Sequence, residues 1–75
     1  MAAKIFASPA LKKAREERGW TQLEMCQMLE IELDRSLALS TYQKWEQGTL
    51  ALAPNTALEI SRFLKLEPRE LVVRK

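Results

Sequence analysis

The chain has 75 residues, 47% hydrophobic and 29% charged with a net charge of +2, which predicts one domain near the lower size limit for a stable core. One cysteine and no histidine exclude an internal disulfide, a histidine zinc site and an imidazole general base. The N-terminal MAAKIFASPA lacks an apolar run of signal-peptide length, and no stretch approaches the roughly 20 apolar residues that span a bilayer, so the expected compartment is the cytoplasm.

Ile5 and Phe6 are expected to fold back onto the core ahead of Ser8-Pro9, which opens a first helix with Ser as cap and Pro at the first position. That helix runs through LKKAREER with Leu11 and Ala14 on one face, and Gly19 supplies a left-handed stop. Thr21 and Glu24 form a T-x-x-E capping box for a second helix carrying Met25, Cys26, Met28 and Leu29, with Trp20 as a staple across its first turn. After Leu29 the stop signals are missing, and Glu30-Ile31-Glu32-Leu33 reads either as continued helix or as a short extended piece.

A third helix is marked by Tyr42 and Trp45, three apart, and closed by Gly48. Pro54-Asn55-Thr56 opens a fourth, whose buried stripe is expected to be Leu58, Ile60, Phe63 and Leu64, with Ala57 and Ser61 as small neighbours. Glu67-Pro68 opens a short fifth through Leu71, and the terminal VVRK is free to fray, pair or support a dimer. No strand pattern of useful length stands out, and the reading is an all-α single domain over residues 1–75, about five short helices around one core.

Charge is unevenly spread. Lys4, Lys12, Lys13, Arg15 and Arg18 face only Glu16 and Glu17 in the first twenty residues, whereas 21–34 carry Glu24, Glu30, Glu32 and Asp34 with no base. The cluster Lys12, Lys13, Arg15 and Arg18 reads equally as a solvated helix face.

The segments LKKAREERGWTQLEMCQML, STYQKWEQG and TALEISRFLKLEPREL resemble the helix-turn-helix family of phage lambda-type repressors and Cro proteins over nearly the whole chain. The matching positions are Leu11, Ala14, Arg15, Gly19, Trp20, Thr21, Gln22, Met25, Cys26 and Leu29, then Tyr42, Trp45, Glu46 and Gly48, then Leu64, Leu66 and Leu71. The resemblance implies a lambda-repressor-like bundle and pairing of Arg15 with Glu46. Cys26 stands where the family carries a small alanine between crossing helices, and is expected to be core.

One departure lies in the turn. Thr21 to Trp45 is 24 steps, about six more than the family pattern, and the extra residues fall between Leu29 and Ala38. Glu30 replaces the family's turn glycine, so the left-handed turn is not expected there. The insertion Glu30 to Leu37 is either a lengthened surface loop or a device that places Arg35 beside DNA, and its three acids favour pointing most of it away from phosphate.

The family's groove-reading positions, counted back from Trp45, fall on Leu39, Ser40 and Lys44, with Thr41 and Gln43 beside them. Lys44 can donate to guanine O6 or N7, Gln43 can pair with adenine, Ser40 or Thr41 can serve bases or phosphate, and Leu39 can press on a thymine methyl. Gln22 matches the family's phosphate clamp, and Gln47 and Thr49 sit where backbone N–H groups meet phosphate. Plainer readings stand beside these: Ser40 as a helix cap with Gln43 completing a box, Thr41 half buried, Leu39 packing, and Tyr42 and Trp45 as core rather than base-stacking platforms.

The expectation is a sequence-specific DNA-binding regulator, a Cro-type repressor on a palindromic operator, acting as a homodimer without cofactor, metal, membrane or small-molecule ligand. The alternative is a protein-interaction module, an antitoxin or inhibitor of the same fold, docking through the acidic insertion and Leu37 or Leu39. No nucleophile, base or metal constellation points to an enzyme.

Overall fold

The structure, a computed structural model, describes residues 4–74. The first three residues, and Lys75 at the end of the VVRK segment, lie outside the described residues. In chain order the elements are β1 (Ile5–Ala7), α1 (Ala10–Glu17), α2 (Gln22–Leu33), α3 (Leu39–Gln47), α4 (Pro54–Leu64), α5 (Pro68–Leu71) and β2 (Val72–Arg74).

The five helices enclose a core of Leu11, Ala14, Met25, Cys26, Leu29, Tyr42, Trp45, Leu52, Ala57, Ile60, Leu64 and Leu71. The two ends of the chain meet in an antiparallel pair that sequence reading left open: Ile5 opposes Arg74, Phe6 opposes Val73 and Ala7 opposes Val72. Strands of three residues are too short to show period-two alternation, so the pairing was invisible locally. Ile5 also bridges to Leu52 in the loop before α4, which fixes the N-terminal strand on both edges.

Pro9 is already helical in backbone, one residue earlier than α1 is counted, and the Ser8 hydroxyl accepts from the Ala10 N–H while donating to the Glu70 carbonyl. Ser8 therefore opens the helix and ties it to α5. The capping box of α2 is complete, with the Thr21 hydroxyl accepting from Glu24 N–H and the Glu24 carboxylate accepting from Thr21 N–H. Trp20 reaches further than a staple: it stacks on Phe63 of α4 at 6.1 Å between ring centroids, with the Arg18 guanidinium over the Trp20 ring 5.8 Å from its centroid.

On α4 the buried stripe is Thr56, Ala57, Ile60, Ser61 and Leu64, and Leu58 faces solvent. Ala57, Ile60, Ser61 and Leu64 follow the helical period, and Leu58 lies one residue, about 100°, off that face. Size misled the expectation; spacing decides.

Four helices end in one hydrogen-bond pattern, in which the residue after a left-handed position bonds five residues back. The bonds are Trp20 N–H to Arg15, Arg35 to Glu30, Thr49 to Lys44 and Leu66 to Ser61. The left-handed residue is Gly19 and Gly48 in two cases, but Asp34 (φ 53°) and Lys65 (φ 58°) in the others.

Asp34 resolves the turn. α2 continues one helical turn past Leu29, and the left-handed residue moves four positions, from the family's glycine site at Glu30 to Asp34. Four of the extra residues thus lengthen the helix, and the rest lengthen the connection to α3. The connection is pinned. Leu37 N–H donates to the Glu30 carboxylate and its carbonyl accepts from the Cys26 thiol, both at 3.2 Å, while Arg35 donates to the buried Thr56 hydroxyl at 2.7 Å.

Candidate nucleic-acid interface

α3 begins at Leu39 with Ala38 as its N-cap and no side-chain cap bond. Ser40 is therefore the second residue of the helix, not its cap, and is exposed; the backbone enters extended at Ala38, leaving nothing for Ser40 to cap. Tyr42 and Trp45 are buried at 0% and 5% exposure and meet edge to face at 6.4 Å, as core residues. Their burial fixes the helix's rotation. Ser40, Lys44 and Gln47 then share the opposite, exposed face at i, i+4 and i+7.

Leu39 packs partly against the core, Thr41 is half-buried, and Gln43 is half-buried at the α2 side. Thr49 is exposed at the C-terminal turn, its hydroxyl donating to the Lys44 carbonyl. Leu37 likewise packs partly against the core, so each of the two leucines leaves only part of its side chain to a partner.

Glu46 is the hub that holds α3. Its carboxylate takes Nε of Arg15 at 2.7 Å and Nη2 at 3.4 Å from α1, the Gln22 amide nitrogen at 3.1 Å from α2, and the Tyr42 hydroxyl from its own helix. Arg15 also donates to the Trp20 carbonyl. The pair is nearly dry, with side-chain exposures of 12% and 4%. Burial alone would raise the Glu46 carboxyl, but the bonds from Arg15, Tyr42 and Gln22 prevail and hold it below the usual carboxylate value. The Tyr42 hydroxyl is raised by burial and by its bond to that carboxylate, and stays protonated.

Gln22 sits at the first position of α2, where helix N–H groups favour a phosphate, and its side chain bridges to α3. Its oxygen accepts from the Gln43 amide at 3.2 Å. Both glutamines stand out in the sequence but their pairing does not, because residues 21 apart become neighbours only once the helices cross. Lys12 of α1 is a second addition: it lines one surface groove with Gln47 and Gly48, beside the end of α3. Arg35, by contrast, is engaged at Thr56 on the N-terminal turn of α4.

Cys26 is buried, and burial followed by the nearby Glu30 pushes its thiol upward, the opposite of what a reactive cysteine needs. Among the described residues no group of three or more His, Cys, Asp and Glu could hold a metal ion, and no helix is long and apolar enough to cross a membrane.

A family model described as helix-turn-helix matches residues 11–71. No curated protein and no solved structure matches the chain.

Proposed function

Since the chain belongs to the helix-turn-helix family of Cro/CI type, we propose that it is a non-enzymatic repressor of Cro type that binds a palindromic operator as a homodimer. The observation that carries this reading is the face of α3: Ser40, Lys44 and Gln47 stand exposed on a helix locked by Tyr42, Trp45 and Glu46. A rigid helix with polar side chains on its free face suits the major groove, where base edges differ in donors and acceptors.

On this reading Ser40, Gln43 and Lys44 meet base edges, with Thr41 beside them and Leu39 at the rim against a thymine methyl. Gln22, Gln47 and Thr49 meet phosphate, and Lys12 joins them from α1. Contacts of this second kind position the protein without specifying sequence. The working compartment is then the cytoplasm, where an operator lies.

Homodimerisation is supported by the apolar ground around the chain ends. Leu58 is 38% exposed, and it lines a groove of about 490 Å³ with Ile5, Pro54, Ala57, Pro68, Val72 and the charged Arg74. One domain covers one half-site, and two recognition helices about 34 Å apart fit successive turns of the groove. Selection of binding sites from a random DNA pool, with gel filtration of the free protein, tests the proposal. A palindromic consensus and a dimer are expected; a pool that stays random, or binding that does not weaken with salt, overturns it.

A further inference from the structure

The chain Glu46, Gln22, Gln43 has a polarity. An ionised carboxylate only accepts, so the end of Gln22 facing Glu46 must be its amide nitrogen. Its oxygen is then left facing Gln43, which must answer with its own nitrogen, as the 3.2 Å bond from Gln43 Nε2 to Gln22 Oε1 shows. An isolated glutamine could present either end. Here two successive bonds, starting from a carboxylate held by Arg15, remove that freedom.

We infer that Glu46, acting through Gln22, fixes the Gln43 amide with its nitrogen inward and its oxygen toward the groove, making Gln43 an acceptor for the amino group of adenine or cytosine. Adenine N6 and cytosine N4 are the amino groups on the major-groove edges, whereas guanine and thymine show oxygen there. The inference rests on α3 being the DNA reader. Glu46 and Gln22 are positioning residues in it, and Gln43 is the reader.

The test compares binding sites selected from a random DNA pool by the wild-type chain, Gln43→Ala, Gln22→Met and Glu46→Gln. Gln43→Ala locates the base position, which is expected to lose its preference. At that position the wild type should favour adenine or cytosine by about tenfold, falling to about threefold or less in Gln22→Met. Glu46→Gln, whose amide can turn either end to Gln22, should relax the same position; should it fail to fold, Gln22→Met still decides.

A role for Gln22 in phosphate binding or stability alone would weaken all sequences together, so an even loss of affinity in Gln22→Met with that preference intact overturns the inference. So does a Gln43→Ala variant that selects the wild-type consensus, or a wild-type preference for guanine or thymine there. In each of these cases a specific consensus still stands for the DNA-binding reading. A wild-type chain that selects no sequence overturns both.

Discussion

The thiol of Cys26 donates to the carbonyl oxygen of Leu37, joining the middle of α2 to the connection that leads into α3. Its companion bond, from the Leu37 N–H to Glu30, closes the same residue from the other side. Two departures from the family pattern, cysteine for alanine and glutamate for glycine, thus serve one purpose: they satisfy the backbone of a lengthened turn.

Cys26→Ala should cost about 1–2 kcal/mol, since it strands a part-buried carbonyl and leaves a small void. Chemical denaturation checks this. The thiol, protonated and buried, should resist disulfide reagents in the native protein and react at the rate of global unfolding. Rapid labelling under native conditions would show that the turn opens on its own.

Asp34 and Lys65 hold left-handed conformations that glycine adopts without cost from a Cβ. Asp34→Gly and Lys65→Gly should each stabilise by up to about 1 kcal/mol, and additively, since they end different helices. Gly19→Ala should destabilise by about 1 kcal/mol although a Cβ there meets open space, because the strain lies in φ alone. Thermal melts of the three variants are sufficient.

The Glu46 carboxyl sits lower in the folded protein than in the unfolded chain, so its stabilising contribution is present above the ordinary glutamate value of about 4.3. It is lost as pH falls through the lower folded value. Wild-type stability should therefore drop more steeply between about pH 4.3 and lower pH than that of Glu46→Gln. At neutral pH, Glu46→Ala should cost about 3 kcal/mol, because it abandons Arg15 in a nearly dry site.

Lys12 and Arg35 should separate cleanly in DNA binding. Lys12→Ala should weaken binding across all sequences and lower the salt slope by about one, as a phosphate contact does. Arg35→Ala should leave the slope unchanged and lower stability by about 1 kcal/mol through the lost Thr56 bond. A reduced slope for Arg35→Ala would place its guanidinium on phosphate instead.

Much of this arrangement was legible locally. Thr21 and Glu24 announced the start of α2, Gly48 the end of α3, and the spacing of Tyr42 and Trp45 the buried side of α3, because caps and periodicity are written within a few residues. The family pattern supplied the Arg15–Glu46 pair, which spans 31 residues. What escaped depends on distant segments meeting: the pairing of the two chain ends, the glutamine bridge between α2 and α3, and the approach of Lys12 to Gln47. The extra turn of α2 escaped for another reason, since aspartate at a left-handed stop is a weaker signal than glycine.

Binding of Lys44→Glu to the operator selected by the wild-type chain tests the central claim most directly, namely that the exposed face of α3 reads DNA. Lys44 is exposed and stands in the last turn of α3, so the variant should keep the fold, with a cost of about 1 kcal/mol or less for the reversed charge at that helix end. Its affinity for that operator should fall by more than about tenfold, through the lost base contact and the reversed charge. A folded Lys44→Glu protein that binds the operator as tightly as the wild type would contradict the account.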